Sequence, residues 1–265
     1  MKLRPLVSGL VLPLWLAACA GGYVPHEGAA LERPSAEKPV SSEGQRKAKA
    51  HVELGTAYAQ IGRYGVALDE AREAASYDSS YAPAYELMGI VHMYLEENSL
   101  AASNFQRALN LAPGDPVILN SYGWFMCASG REREGLEMLN AAARNPYYAT
   151  PTRALANAGL CSLRLQNEPQ AEQYFRRALD ADGNNAPVMF HLALLSYKRG
   201  TYEVARRYLA MMHDGREPTA ESLWLALRVE RRLANRTAEA SFAQQLKRRF
   251  PTSPEYQALL QGQFQ

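Results

Sequence analysis

Three cysteines and five histidines are the residues of this 265-residue chain best suited to chemistry, and their spacing narrows what that chemistry is. His26, His51, His92, His191 and His213 are scattered, with no His-x-x-x-His or His/Cys pairing that would build a metal site. There is no Gly-x-Ser-x-Gly elbow, phosphate loop or dinucleotide fingerprint. Glu96 and Glu97 fall at a turn and read as surface charge. The expectation is therefore a chain with no catalytic residue, no metal and no small-molecule substrate. The cysteines read differently. Cys19 follows Leu16–Ala17–Ala18, where a thiol at a cleavage point can be acylated. Cys127 and Cys161 lie on the first helices of two adjacent repeat units, which stack side by side and bring the two side chains within reach.

Cys19 takes its meaning from what precedes it. Lys2 and Arg4 form a basic start, and the apolar run from Leu6 to Leu16 ends in small residues, the pattern of a secretory signal. The run falls short of the ~20 apolar residues of a spanning helix. Leu-Ala-Ala-Cys resembles a bacterial lipobox. That resemblance implies cleavage after Ala18 and a diacylglycerol and N-acyl lipid on Cys19, the alternative being an ordinary secretory signal with an incidental cysteine. Ala20 after the cysteine, rather than Asp, implies sorting to the outer membrane, where several acyl chains together anchor stably. The segments are then a signal at 1–18, a lipidated start and flexible Gly/Pro/Ser-rich tether at 19–44, and one folded domain at 45–265.

The elements that must carry these residues are set by a ladder. Gly55, Gly89 and Gly123 stand 34 residues apart, each followed twelve positions on by a small residue, at Ala67, Ala101 and Gly135. A second small rung falls at Ala74, Ala108 and Ala142. After a two-residue slip the register returns as Gly159, Ala171 and Ala178, then as Ala193, Ala205 and Met212. A 34-residue period is that of a helix–turn–helix tetratricopeptide unit. Small residues at the rungs let the two helices of each unit approach closely. The sequence predicts an all-α, right-handed tetratricopeptide superhelix of about six units. A degenerate sixth pair lies near 222–250 and a short capping helix at 254–261, as the open end of a solenoid requires.

Loss of Lys2 and Arg4 with the signal leaves 27 basic against 27 acidic residues. A neutral solenoid is a poor nucleic-acid ligand, since phosphate neutralisation needs a basic surplus on one face. The Arg231–Arg232 and Lys247–Arg248–Arg249 clusters read as solvated helix faces, with contact to anionic lipid or a partner left open. In an oxidising compartment Cys127 and Cys161 are expected to form a disulfide worth ~2–4 kcal/mol. The alternative is two buried free thiols.

Function then rests on surfaces. First helices line the concave face of such a superhelix, and the positions pointing into it hold Glu86, Ile90, Met93 and Tyr94, then Asn120, Trp124 and Cys127. Leu160, Leu163 and Arg164 follow in the fourth unit, and Phe190, Leu194, Tyr197 and Lys198 in the fifth. This apolar, aromatic groove suits an apolar or amphipathic segment of another protein. Its candidate contacts are Ile90, Met93, Tyr94, Asn120, Trp124, Phe190 and Tyr197. Leu160, Leu163 and Leu194 read better as packing between helices.

Particular stretches carry a closer likeness. Leu119–Asn120–Ser121–Tyr122–Gly123–Trp124–Phe125, the slip Asn145–Pro146–Tyr147–Tyr148, Gly159–Leu160–Cys161 and the stretch from Leu246 to Tyr256 resemble the type IV pilus biogenesis lipoproteins of the PilW/PilF family. The resemblance runs from the lipobox almost to the end of the chain. It implies a pilotin, an outer-membrane lipoprotein facing the periplasm that binds the pilus secretin subunit and promotes its localisation and multimerisation. A lipoprotein scaffold for another envelope machine, in peptidoglycan synthesis or outer-membrane barrel assembly, is the other reading.

Overall fold

The computed structural model describes residues 32–264, so Cys19, the signal at 1–18 and the tether up to residue 31 lie outside the described residues. Thirteen α-helices follow one another without a strand among the described residues. The first six are α1 (Glu43–Gln60), α2 (Tyr64–Tyr77), α3 (Ala82–Tyr94), α4 (Asn98–Leu111), α5 (Pro116–Ala128) and α6 (Glu132–Arg144). They are followed by α7 (Pro151–Arg164), α8 (Glu168–Ala181), α9 (Ala186–Lys198), α10 (Tyr202–His213), α11 (Ala220–Arg232), α12 (Arg236–Arg249) and α13 (Pro254–Leu260). Each odd helix from α1 to α11 packs against the even helix after it, giving six units. The short α13 closes the end against α11 and α12. The odd helices also touch in succession, α1 to α3 to α5 to α7 and again α9 to α11, and so form the inner layer of a tetratricopeptide solenoid.

Local chemistry explains the boundaries. Proline opens α3, α5, α7, α9 and α13 in the first turn, where its missing N–H costs nothing. Between the two helices of a unit the chain turns through a left-handed residue. Gly62, Glu96, Gly130, Gln166, Gly200 and Ala234 all have φ between 56° and 84°, and each is the fifteenth residue of its unit. The sixth unit keeps this turn although its sequence has lost most of the repeat pattern.

The glycine rungs are needed where an aromatic side chain lies across them. A Cβ on Gly89 would stand 2.8 Å from Phe105 Cδ1, and Gly159 faces Phe175 in the same way. In the fifth unit the facing residue is Leu209 rather than Phe. Ala193, fully buried, is accommodated there. At the start of the solenoid Leu54 occupies a core position of the repeat yet is exposed, because among the described residues no unit precedes it to cover that face.

The two-residue slip builds something. Asn145 donates through Nδ2 to Glu32 O at 2.9 Å and to Gly114 O at 3.3 Å, while Tyr147 carries the Arg33 guanidinium 4.9 Å from its ring centroid. Pro34 is buried beside them. The described end of the segment read as a flexible tether is thus docked on the solenoid, with a 3-10 turn at Ser35–Glu37, before α1 begins at Glu43.

Candidate partner-binding groove

The concave face is assembled from α3, α5, α7, α9 and α11, and its middle is apolar. Ile90 and Met93 are half-buried against the core of the first units. Trp124 packs with Leu160 and Leu163 on the next cluster, and Phe190 with Leu194 on a third. Phe190 meets His191 edge-on at 5.8 Å, and His191 stacks on Phe175 at 5.1 Å. Burial holds the His191 imidazole below its ordinary pKa, so it is a neutral packing ring. Tyr94 is the most open of the candidates, 58% exposed, and stacks on Tyr64 at 5.5 Å.

Other candidates leave the accessible surface. Asn120 is only 3% exposed, and its Oδ1 accepts from Asn157 Nδ2 at 3.0 Å, joining α5 to α7. The amide bridges two first helices instead of facing a partner. Glu86 is buried and accepts from Ser121 Oγ at 2.7 Å; burial raises its carboxyl to about 7, against the weaker lowering effect of Ser121. Cys127 is buried too, joined to Cys161 in a disulfide with Cα atoms 5.5 Å apart, which ties α5 to α7. Tyr197 is 8% exposed and lines a cavity.

That cavity was not foreseen. It measures about 410 Å³ and lies where α9, α11 and the start of α12 meet the residues after α13. Arg228, Arg231 and Arg232 line it with Tyr197 and Phe264. The Arg231–Arg232 pair, read from sequence as a solvated face, is a concave wall. The three arginines occupy the same unit positions as Ile90, Met93 and Tyr94 of the second unit. The shared position was the available signal, hidden because the sixth unit had drifted from the repeat. A second surface also escaped the sequence reading: Ile61, 68% exposed, and Leu95 occupy equivalent positions at the helix turns beside Tyr94. Among the described residues no group of three or more His, Cys, Asp or Glu is placed to hold a metal ion, and no helix is long and apolar enough to cross a membrane.

Comparison with known proteins decides the family. The tetratricopeptide repeat model matches residues 152–185. The type IV pilus assembly protein PilF of Pseudomonas aeruginosa is 33% identical over 208 residues, covering 78% of this chain and 82% of that protein. The chain belongs to the PilF family. The solved structure of Pseudomonas aeruginosa PilF superposes with a TM-score of 0.75 at 31% identity, covering 83% of this chain and 100% of that one. PilW, described as a widely conserved type IV pilus biogenesis factor, gives a TM-score of 0.73 at 28% identity, covering 80% of this chain and 98% of that one. The likeness to PilF therefore spans nearly the whole solenoid, unlike a match confined to one repeat.

Proposed function

We propose that this PilF-family chain is a pilotin of type IV pilus biogenesis. It is an outer-membrane lipoprotein that captures the pilus secretin subunit in its concave groove and promotes its localisation and multimerisation. The observation that carries the proposal is the match to PilF across the length of the solenoid. The lipobox supports it by supplying an anchor: a diacylglycerol and N-acyl lipid on Cys19, held at the periplasmic face of the outer membrane. The chain acts by binding alone, with no catalysis, cofactor, nucleic acid or small-molecule substrate.

The physics of such an adaptor is confinement. Anchoring the binder concentrates its client in a thin layer and raises the encounter rate of subunits there. Glu32 stands thirteen positions after Cys19, a reach of at most about 45 Å. Because residues 32–35 dock at Asp115 and Asn145, the anchor pulls on the middle of the solenoid and not on its first helix. The groove contacts are Ile90, Met93, Tyr94, Trp124 and Phe190.

The test is secretin assembly in a deletion strain, scored as heat- and detergent-resistant multimer in isolated outer membranes. Loss of multimer in the deletion, restoration by wild type and failure of Cys19→Ser at equal protein level are expected. Unchanged multimer and location in the deletion would refute the pilotin reading in favour of the envelope scaffold.

A further inference from the structure

We infer that the cavity at the C-terminal end of the groove is a second binding site, for an acidic peptide segment that sets a carboxylate side chain beside an aromatic one. The argument begins with charge. Four guanidiniums, those of Arg228, Arg231, Arg232 and Arg236, converge on the cavity. The carboxylate that answers them is Glu239, 2.7 Å from Arg231 and 3.5 Å from Arg236. Arg228 and Arg232 have no carboxylate partner among the described residues. Arg228 Nε is moreover buried without a hydrogen-bond partner. A buried cationic donor left unpaired is costly, and a carboxylate ligand removes that cost.

Basic side chains in the last turn of a helix are favoured by its dipole, which accounts for Arg231 and Arg232 at the end of α11. It does not account for Arg228, a full turn earlier.

The walls supply the rest of the ligand's chemistry. The Arg228 guanidinium lies 4.5 Å from the Tyr197 ring centroid and 6.0 Å from that of Trp224. Trp224 and Phe264 stack at 5.6 Å, and Arg231 covers the Phe264 ring at 3.9 Å. The Tyr197 hydroxyl is a hydrogen-bond partner of Arg228 and Arg232, and an arginine has five N–H donors, so each guanidinium keeps further donors for a carboxylate. Burial pushes the Tyr197 hydroxyl up, but Arg232 and Arg228 beside it outweigh this and hold its pKa below the ordinary value, a sign of the positive potential in the cavity. The site continues the apolar strip that ends at Phe190 and Leu194. A segment lying along the groove thus meets apolar contacts first and guanidiniums last. The walled, aromatic shape suits a side chain of a peptide better than a flat membrane surface. The inference does not depend on which protein supplies the segment.

The experiment is fluorescence anisotropy with the full chain in detergent and a labelled, end-blocked peptide Ser-Phe-Asp-Glu-Phe-Ser, compared with Ser-Phe-Asn-Gln-Phe-Ser. Saturable binding of the acidic peptide alone is expected, about tenfold weaker in Arg228→Gln and weaker again with Arg232→Gln added. Arg228→Lys and Arg232→Lys keep the charge but lose the fork. They are expected to bind at intermediate strength, and they carry the test should the glutamine variants unfold. Equal binding of the two peptides overturns the proposal, as does undiminished binding by a folded double variant. Displacement by inorganic phosphate as effective as by unlabelled peptide would make this a plain anion site. Binding of phosphatidylglycerol vesicles, lost in the double variant, without peptide binding would make it a lipid site. Either of those results also overturns the proposal.

Discussion

Asp115 holds Ser35 across 80 residues of sequence: one carboxylate oxygen, Oδ2, accepts both the backbone N–H and the hydroxyl of Ser35 at 2.5 Å. The other, Oδ1, caps α5 by accepting from Val117 N at 2.9 Å and Ile118 N at 3.3 Å. One buried carboxylate thus fastens the N-terminal segment and starts a groove helix. Asp115→Ala is expected to lose the cap and strand the Ser35 donors, costing about 1–3 kcal/mol by denaturant titration. Ser35→Ala should cost less while exposing 32–41 to limited proteolysis. Equal protease resistance in both variants and wild type would count against this fastening.

The Cys127–Cys161 bridge closes a loop with a sequence separation of 34. On chain-entropy grounds its loss is expected to cost about 3–4 kcal/mol. Cys127→Ser, or reduction of the wild type, should lower the thermal midpoint, and reduction should leave Cys127→Ser unchanged. Two titratable thiols in protein isolated without reductant would contradict the bridge.

Helix approach at the glycine rungs gives a third expectation. Gly89→Ala sets a Cβ against the Phe105 ring and should destabilise by about 1–3 kcal/mol, although alanine is the better helix former. The double variant Gly89→Ala with Phe105→Leu should recover part of that loss, since the fifth unit already pairs Ala193 with Leu209. Urea unfolding of the three chains decides it.

Glu86 makes stability depend on pH. Its folded-state pKa of about 7 lies above the ordinary 4.5, so between those values the folded chain holds a proton that the unfolded chain has released. Stability from this group is full below about pH 4.5, falls as pH rises to 7, and then levels off, a loss on the order of 3 kcal/mol. Glu86→Gln should flatten that slope and stabilise the chain at pH 8. An unchanged slope would show that Glu86 is ionised in the fold.

The ladder Gly55, Gly89, Gly123 and Gly159 made the architecture legible, because close helix approach leaves few residue choices at those positions. It could not show how tightly neighbouring first helices close. Repeat position says which face a side chain shares, yet Asn120 and Glu86 prove buried where Tyr94 is open. The sixth unit was legible as a helical pair, but its register was hidden for a different reason. At the solenoid's end the core positions relax, and only the left-handed turn at Ala234 preserves the register that places Arg228, Arg231 and Arg232 on the concave face. The docking of Glu32 on Asn145 was equally unreadable, since it depends on a contact across 113 residues.

Site-specific photo-crosslinking in cells tests the central claim most directly. A benzoylphenylalanine at Trp124 or Phe190 on the concave face is predicted to capture the secretin subunit, while one at exposed Arg177 on the outer helix α8 is not. Crosslinks from the groove to other envelope proteins alone, or to the secretin from Arg177 alone, would contradict the account.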